Sequence, residues 1–201
     1  IESQFPLPPE ELAWGYRQLQ GNDAPRNGPA TSQDLIVAAV KRELIEEYST
    51  LLSGCGLNPV FTLGALARSF ICPQPSGSYA VLDIGRTHSE LVSVENGVPG
   101  GIRVLPWGGE NITRAIDVIL KVGHAEAEKL KLRLEQQSAP QTDLDRGIQD
   151  AVRVELESLA HSIKSVWSGR DLYVSGRTAL LKEIIPSLTK ILESGGECKR
   201  M

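Results

Sequence analysis

The chain is poor in the residues and motifs from which function is most readily read. Its three cysteines, Cys55, Cys72 and Cys198, are odd in number and widely spaced. They show neither a zinc spacing nor a disulfide framework, which fits buried or inert thiols in a reducing compartment. The three histidines, His88, His124 and His161, are scattered and form no metal-ligand pattern with them. No apolar run approaches the roughly 20 residues that cross a bilayer, and no signal peptide is visible. Walker A and the dinucleotide glycine fingerprint are absent, and no serine sits in a nucleophile elbow. These absences argue against a standard hydrolase or P-loop enzyme. The net charge of −4 is mild, so composition gives no support for binding nucleic acid or a membrane surface.

What is present is an ordinary globular composition, 41% hydrophobic and 23% charged over 201 residues, enough for one domain or two small ones. The chain opens on Ile1 rather than Met, which fits a fragment or a processed form. Residues 1–7 read as a short strand, 10–13 as a short helix behind Pro8-Pro9, and 14–20 as a strand carrying Trp14 and Tyr16. Residues 21–33 form a surface loop. The continuous apolar run 34–40 suggests a strand buried on both faces. A helix over 42–53 follows, stopped by Gly54-Cys55-Gly56. A strand over 57–62 closes a strand–helix–strand unit, and a helix over 63–71 leads to a linker at 72–78. A domain boundary is expected at that linker, giving domains 1–71 and 72–201.

The chain turns on residues 79–111. A buried strand over 79–84 ends in Asp83-Ile84-Gly85, and an amphipathic strand over 90–94 follows. Asn96-Gly97 then predicts a type I′ turn into a strand near 101–105. A carboxylate at a strand tip beside a glycine turn can hold a metal–phosphate group while amides face the anion. It can equally cap a hairpin turn, and the residues alone leave both readings open. Asn111 is a good helix N-cap, and the apolar face from Ile112 to Leu120 predicts a helix ended by Gly123. Residues 125–134 read as a helix with Glu128 and Lys131 on one face, which by itself is a solvated ion pair. A loop spans 135–145 and a long helix 147–167. A strand over 172–175 and helices over 178–185 and 187–192, divided by Pro186, lead to a loose tail at 195–201.

Three loops remain as candidates for chemistry: 83–89, 108–111 and 175–179. The ordered motifs around them are Asp83-Ile84-Gly85, Asn96-Gly97, Arg103 to Gly109, Ile112-Thr113, Ala115-Ile116, Ala127-Glu128, Leu130-Lys131 and Val174-Ser175-Gly176. This order resembles the second half of an actin-like ATPase. It is most similar to the type IV pilus assembly protein PilM, with the type II secretion GspL cytoplasmic domain and FtsA as relatives. Upstream, FPLPPEELAWGYRQL, DLIVAAVKRELIEEYSTLL and GLNPVFTLGALAR resemble the small subdomain that PilM and FtsA insert into their first half.

The resemblance implies an α/β chain with a partial actin-like (RNase H-like) fold. Residues 1–71 would be the small inserted FtsA/PilM-type subdomain and connecting helix, and 72–201 the second large domain, with a helical lobe at about 112–168. The first large domain is expected to be missing or incomplete. The resemblance also implies roles. Asp83 and Gly85 would belong to a phosphate loop, with Arg86, Thr87 and His88 at its turn. Gly108 and Gly109 would form the next nucleotide-side loop. Glu128 and Lys131 would face ribose and adenine, and Gly176, Arg177 and Thr178 the adenosine. ATP with Mg is the implied ligand, and a cleft holding neither is the alternative left open. Bulky Arg86, Thr87 and His88, and Arg177 and Thr178 after Gly176, stand where small residues would admit phosphate. The two arginines either pair with phosphate or fill the cleft through salt bridges.

The expected function is a non-catalytic actin-like scaffold, cytoplasmic and peripheral to the inner membrane. It would serve a type IV pilus or type II secretion assembly platform and dock a membrane-anchored partner, without nucleic acid and without a membrane span of its own. A competent FtsA-like ATPase or filament former is the alternative, and a sugar or acetate kinase of the same superfamily a more distant one.

Overall fold

The computed structural model describes residues 6–18, 35–72, 77–134, 142–167, 171–192 and 197–201. The expectations for 1–5, for the 21–33 loop, and for parts of the 14–20 strand (19–20), the linker (73–76), the polar loop (135–141) and the tail (195–196) lie outside the described residues. The chain divides into two compact units, Ile1–Gly64 and Ala65–Met201.

In the smaller unit a 3-10 turn at Pro9–Glu11 begins with proline, whose missing amide hydrogen costs nothing at a helix start. Strand β1 (Leu12–Gln18) pairs antiparallel with β2 (Leu35–Lys41), and helix α1 (Arg42–Gly54) follows without a break. Arg42 ties the helix start back by donating to the Glu10 and Leu12 carbonyls at 3.0 and 2.8 Å. The helix ends in paired reverse bonds, Gly56 N–H to Ser53 O and Leu57 N–H to Leu52 O, with Gly56 at φ 76°. Two expectations fail here. Residues 37–40 of β2 are half-buried, not enclosed on both faces, because a two-stranded sheet beside one helix cannot cover both sides. Residues 57–62 form no strand: Pro59 lacks a ladder donor, and Val60 is exposed.

The larger unit holds a five-stranded sheet in the order β5-β4-β3-β6-β7. The strands are β3 (Tyr79–Ile84), β4 (Ser89–Glu95), β5 (Val98–Leu105), β6 (Asp171–Ser175) and β7 (Cys198–Arg200). β3, β4 and β5 form an antiparallel meander, whereas β3–β6 and β6–β7 are parallel. Asn96 and Gly97 both take positive φ, 50° and 76°, as the Asn-Gly hairpin signal requires. Helices α2 (Gly64–Ser69), α3 (Gly109–Leu120), α4 (His124–Leu134), α5 (Asp143–Val166) and α6 (Ile184–Leu192) complete the unit.

β3 is buried on both faces except at Asp83, which is half-buried, in keeping with the buried strand expected over 79–84. Ala80, Leu82 and Ile84 join Ile112 and Ile116 of α3, Leu156, Leu159 and Ile163 of α5, and Leu188 of α6 in the main core. Tyr79 and Val81 face a second cluster with Ala65, Cys72, Val92 and Tyr173, where the two tyrosine rings meet edge-on at 5.6 Å. Trp107 is buried in the main core and donates its indole N–H to Glu155 at 3.2 Å.

Several boundaries differ from the sequence reading for local reasons. Asn111 is not the N-cap of α3. It sits at the third helical position, and its side chain accepts the Gly108 N–H at 3.1 Å. The left-handed cap at the other end is Lys121, not Gly123. Helix α5 starts at Asp143 because Thr142 and Asp145 form a reciprocal capping box. Residues Arg177–Leu180 make a 3-10 turn, and Pro186 lies in the first turn of α6, where it breaks no helical bond. The expected tail instead supplies β7, parallel to β6.

The sheet-to-helix core sets the stability of this unit. Leu156→Ala, at a fully buried position, is expected to cost about 2–5 kcal/mol. Val154→Ala, two residues along and exposed, should change stability by no more than about 0.5 kcal/mol. Urea unfolding of both variants checks the pair.

Candidate functional site

The parallel pairing of β3 and β6 brings their carboxyl ends side by side, with Asp83 opposite Ser175. Crevices of open α/β sheets form at such strand ends. A cleft of about 530 Å³ opens there, within the larger unit. Its wall includes Asp83, Gly85, Arg86, Gly109, Glu128, Lys131, Gly176, Arg177 and Thr178. Nine of the twelve residues singled out in the sequence therefore share one cavity. Thr87, His88 and Gly108 do not line it. Thr87 and His88 are exposed on the β3–β4 turn, in contact with each other at 3.3 Å. Gly108 lies behind the wall, so close to that turn that a Cβ on it would sit 2.4 Å from the Arg86 carbonyl oxygen.

Backbone geometry builds the wall. The Gly109 and Glu110 amides, first in α3, donate to the carbonyls of Gly85 and Arg86 at 3.0 and 2.8 Å. Gly176 takes φ 93°, and a Cβ there would meet the Ile84 carbonyl oxygen at 2.3 Å. Only glycine fits that close crossing of the β6 loop over the end of β3.

Three charged clusters occupy the cleft. In the first, Arg68 of α2 pairs with Asp83 Oδ2 at 3.1 Å and Glu90 at 3.4 Å, while the Ser175 hydroxyl donates to Asp83 Oδ1 at 2.7 Å. In the second, Glu110 receives His124 Nε2 at 2.5 Å and Arg86 Nε at 3.4 Å. The His124 hydrogen bond, followed by those of Arg86, holds the Glu110 carboxyl below the usual glutamate range against the opposing effect of burial. In the third, the Lys131 ammonium donates to Glu128 Oε2 at 2.7 Å, Thr113 Oγ1 at 2.8 Å and the Gly109 carbonyl at 3.1 Å. All three ammonium hydrogens are thus used. Burial raises the Glu128 carboxyl, but the hydrogen bonds from Lys131 and Thr113 outweigh it and leave the carboxyl lowered. The Glu128/Lys131 pair is therefore not the solvated surface pair its spacing suggests, because Lys131 is 8% exposed.

Sequence reasoning missed Arg68, Glu110, Thr113 and His124. Arg68 and His124 carry no local signal, since only the fold brings them to the β3 tip. Glu110 lay inside the candidate loop 108–111 but was given no role there.

The cleft volume suits a nucleotide-sized ligand. The fit to a nucleotide with its metal is poorer. The α3 amides that could face phosphate are bonded to carbonyls, and both Asp83 oxygens are engaged. Among the described residues no three His, Cys, Asp or Glu side chains gather to hold a metal ion.

The lowered carboxyls set a pH dependence. A carboxyl whose pKa is depressed in the folded state adds stability above its unfolded pKa and loses it as pH falls through the folded value. Glu110 and Glu128 both start from an ordinary 4.5. Stability is expected to hold at neutral pH and to fall as pH drops below about 4.5. Urea unfolding across that window should show a shallower acid loss in Glu128→Gln and Glu110→Gln. An unchanged slope in both variants would refute the assignment.

Comparison with known proteins bears on the family and the fold. The sequence model of the family described as Cell division protein FtsA matches residues 80–196, more than half of the chain. The cell division protein FtsA of Bacillus subtilis (strain 168) is 40% identical over 55 residues, covering 27% of this chain and 12% of that protein. Among solved structures, a chain of a PilM-PilN type IV pilus biogenesis complex covers all of this chain at 24% identity with a TM-score of 0.66. This chain spans 59% of that one. The ethanolamine utilization protein EutJ from Carboxydothermus hydrogenoformans matches 68% of this chain and 46% of its own, at 25% identity and a TM-score of 0.53. The fold is α/β and actin-like, and the chain belongs to the FtsA family.

Proposed function

We propose that this actin-like protein is a non-catalytic docking scaffold, placed at the cytoplasmic face of the inner membrane in a type IV pilus or type II secretion assembly platform. The observation that carries this reading is the state of Asp83. Phosphoryl transfer relies on a carboxylate given over to the metal, and on donors aimed at the phosphates. Here Arg68 and Ser175 hold both oxygens of that carboxylate, and the leading amides of α3 are bonded to the Gly85 and Arg86 carbonyls.

The smaller unit supports the docking half of the reading. Trp14 and Tyr16 stand exposed along β1, with ring centroids 6.4 Å apart, and Tyr48 and Leu51 are exposed on α1. Large aromatic side chains are enriched where proteins meet. The similarity to a chain of a PilM-PilN complex makes a membrane-anchored assembly protein the preferred partner. Among the described residues no helix is long and apolar enough to cross a membrane, so on this reading the partner supplies the anchor.

A competent actin-like ATPase is the second reading, and the size of the cleft is what favours it. Two measurements separate them. Calorimetric titration with peptides from cytoplasmic segments of membrane-anchored assembly proteins should give binding that Trp14→Ala or Tyr16→Ala weakens by about tenfold or more. ATP hydrolysis should stay at background. Mg-dependent ATP binding with turnover, both lost in Asp83→Ala, would replace the scaffold with the ATPase.

A further inference from the structure

Helix α1 presents two stripes at helical spacing. Ile45, Ser49 and Leu52 are half-buried, and no residue of the helix is fully buried. One position before each of them stand Leu44, Tyr48 and Leu51, which are 42%, 54% and 64% exposed. Their spacing of four and then three residues puts them on one face. Glu47 comes three residues after Leu44 and four before Leu51, so it flanks this stripe, and Glu43 lies one turn ahead on the same edge. Glu43, Glu46 and Glu47 are all exposed, and none makes an ion pair among the described residues. Arg42, the one cation of the helix, is spent on the Glu10 and Leu12 carbonyls. Among the described residues of the smaller unit, Leu12 is the one fully buried hydrophobic side chain. An apolar stripe left open in so small a core marks a surface that meets another one.

We propose that the exposed face of α1 receives a cationic amphipathic helix, with apolar side chains at matching spacing and Lys or Arg set opposite Glu43 and Glu47. The inference rests on the docking reading and names the chemistry of the segment that docks. Anchors at i, i+4 and i+7 are the pattern by which one helix seats against another. Charge decides between the surfaces that could cover such a stripe. An anionic lipid surface takes up apolar side chains but draws in basic helix faces and repels carboxylates. A second copy would set the same acidic helix against itself, and like charges repel. A cationic helix buries the stripe and supplies the three carboxylates with the partners they lack.

The test is calorimetric titration of the purified protein at low salt with three synthetic peptides. The first is a helix-forming leucine–lysine sequence with its leucines on one face. The second has glutamate in place of every lysine, and the third is a scramble of the first without the apolar face. The first is expected to bind about tenfold or more tightly than the other two. Tyr48→Ala and Leu51→Ala, both at exposed positions, should each weaken it by about tenfold. Glu43→Lys combined with Glu47→Lys should reverse the preference in favour of the glutamate peptide. That reversal separates a seated helix from general attraction of a cation to a chain of net charge −4. The proposal is overturned if the scramble binds as well as the first peptide, or if the charge reversal leaves the preference unchanged. It is overturned equally by Leu51→Ala-sensitive binding to phosphatidylglycerol vesicles, or by a dimer in ultracentrifugation that Leu51→Ala disrupts. Natural cytoplasmic segments that bind but ignore Tyr48→Ala and Leu51→Ala would sink this assignment and leave the docking reading standing. Natural segments that do not bind at all, while the designed peptides behave as expected, would sink the docking reading alone.

Discussion

The seat of α3 on the β3–β4 turn organises the larger unit. Gly109 and Glu110 donate their amides to the carbonyls of Gly85 and Arg86, and Gly108 allows the approach. This contact joins the tip of the central strand to the helical layer and fixes the cleft wall between them. It also consumes the donors that a helix amino end normally offers to an anion. The charges that face this cleft are therefore those of side chains, Arg68, Asp83, Arg86, Glu128, Lys131 and Arg177 among them.

The same constraint explains why the cleft is so thoroughly paired. Each carboxylate of its three clusters is paired: Asp83 and Glu90 share Arg68, Glu110 has His124 and Arg86, and Glu128 has Lys131. A half-buried charge stripped of its partner costs far more than the pair contributes when intact. The three clusters are consequently interdependent, and truncating one member leaves its partner as the larger problem. The family model matches residues 80–196, yet the charged groups around the cleft are turned toward one another.

Much of the fold was legible because the signals were local and strong. The apolar residues Tyr79–Leu82 that open β3, the Asn96-Gly97 turn and the stripes of α3 and α5 each specify one geometry. The failures have physical causes. The β2 run reads as enclosed, but burial depends on how many layers cover a sheet, and a two-stranded sheet has too few. β7 is three residues long and owes its existence to a neighbour far away in sequence. In the cleft, the strand-tip carboxylate and the glycines could be found from their motifs. Arg68 and His124 could not, since their role comes from tertiary proximity and not from spacing. Glu128 and Lys131 were visible as a pair, but their enclosure by Thr113 and the Gly109 carbonyl was not.

The placement of the tryptophans has a practical consequence. Trp107 is enclosed in the core of the larger unit and Trp167 packs against it half-buried, whereas Trp14 stands half-exposed on the smaller one. Indole emission shifts with the polarity around the ring, so the chain carries an intrinsic optical probe in each unit. Loss of the sheet-and-helix core would move the emission of Trp107 and Trp167 toward the red while Trp14, already wetted, changes little. Intrinsic fluorescence can thus follow the melting of the larger unit without any added dye.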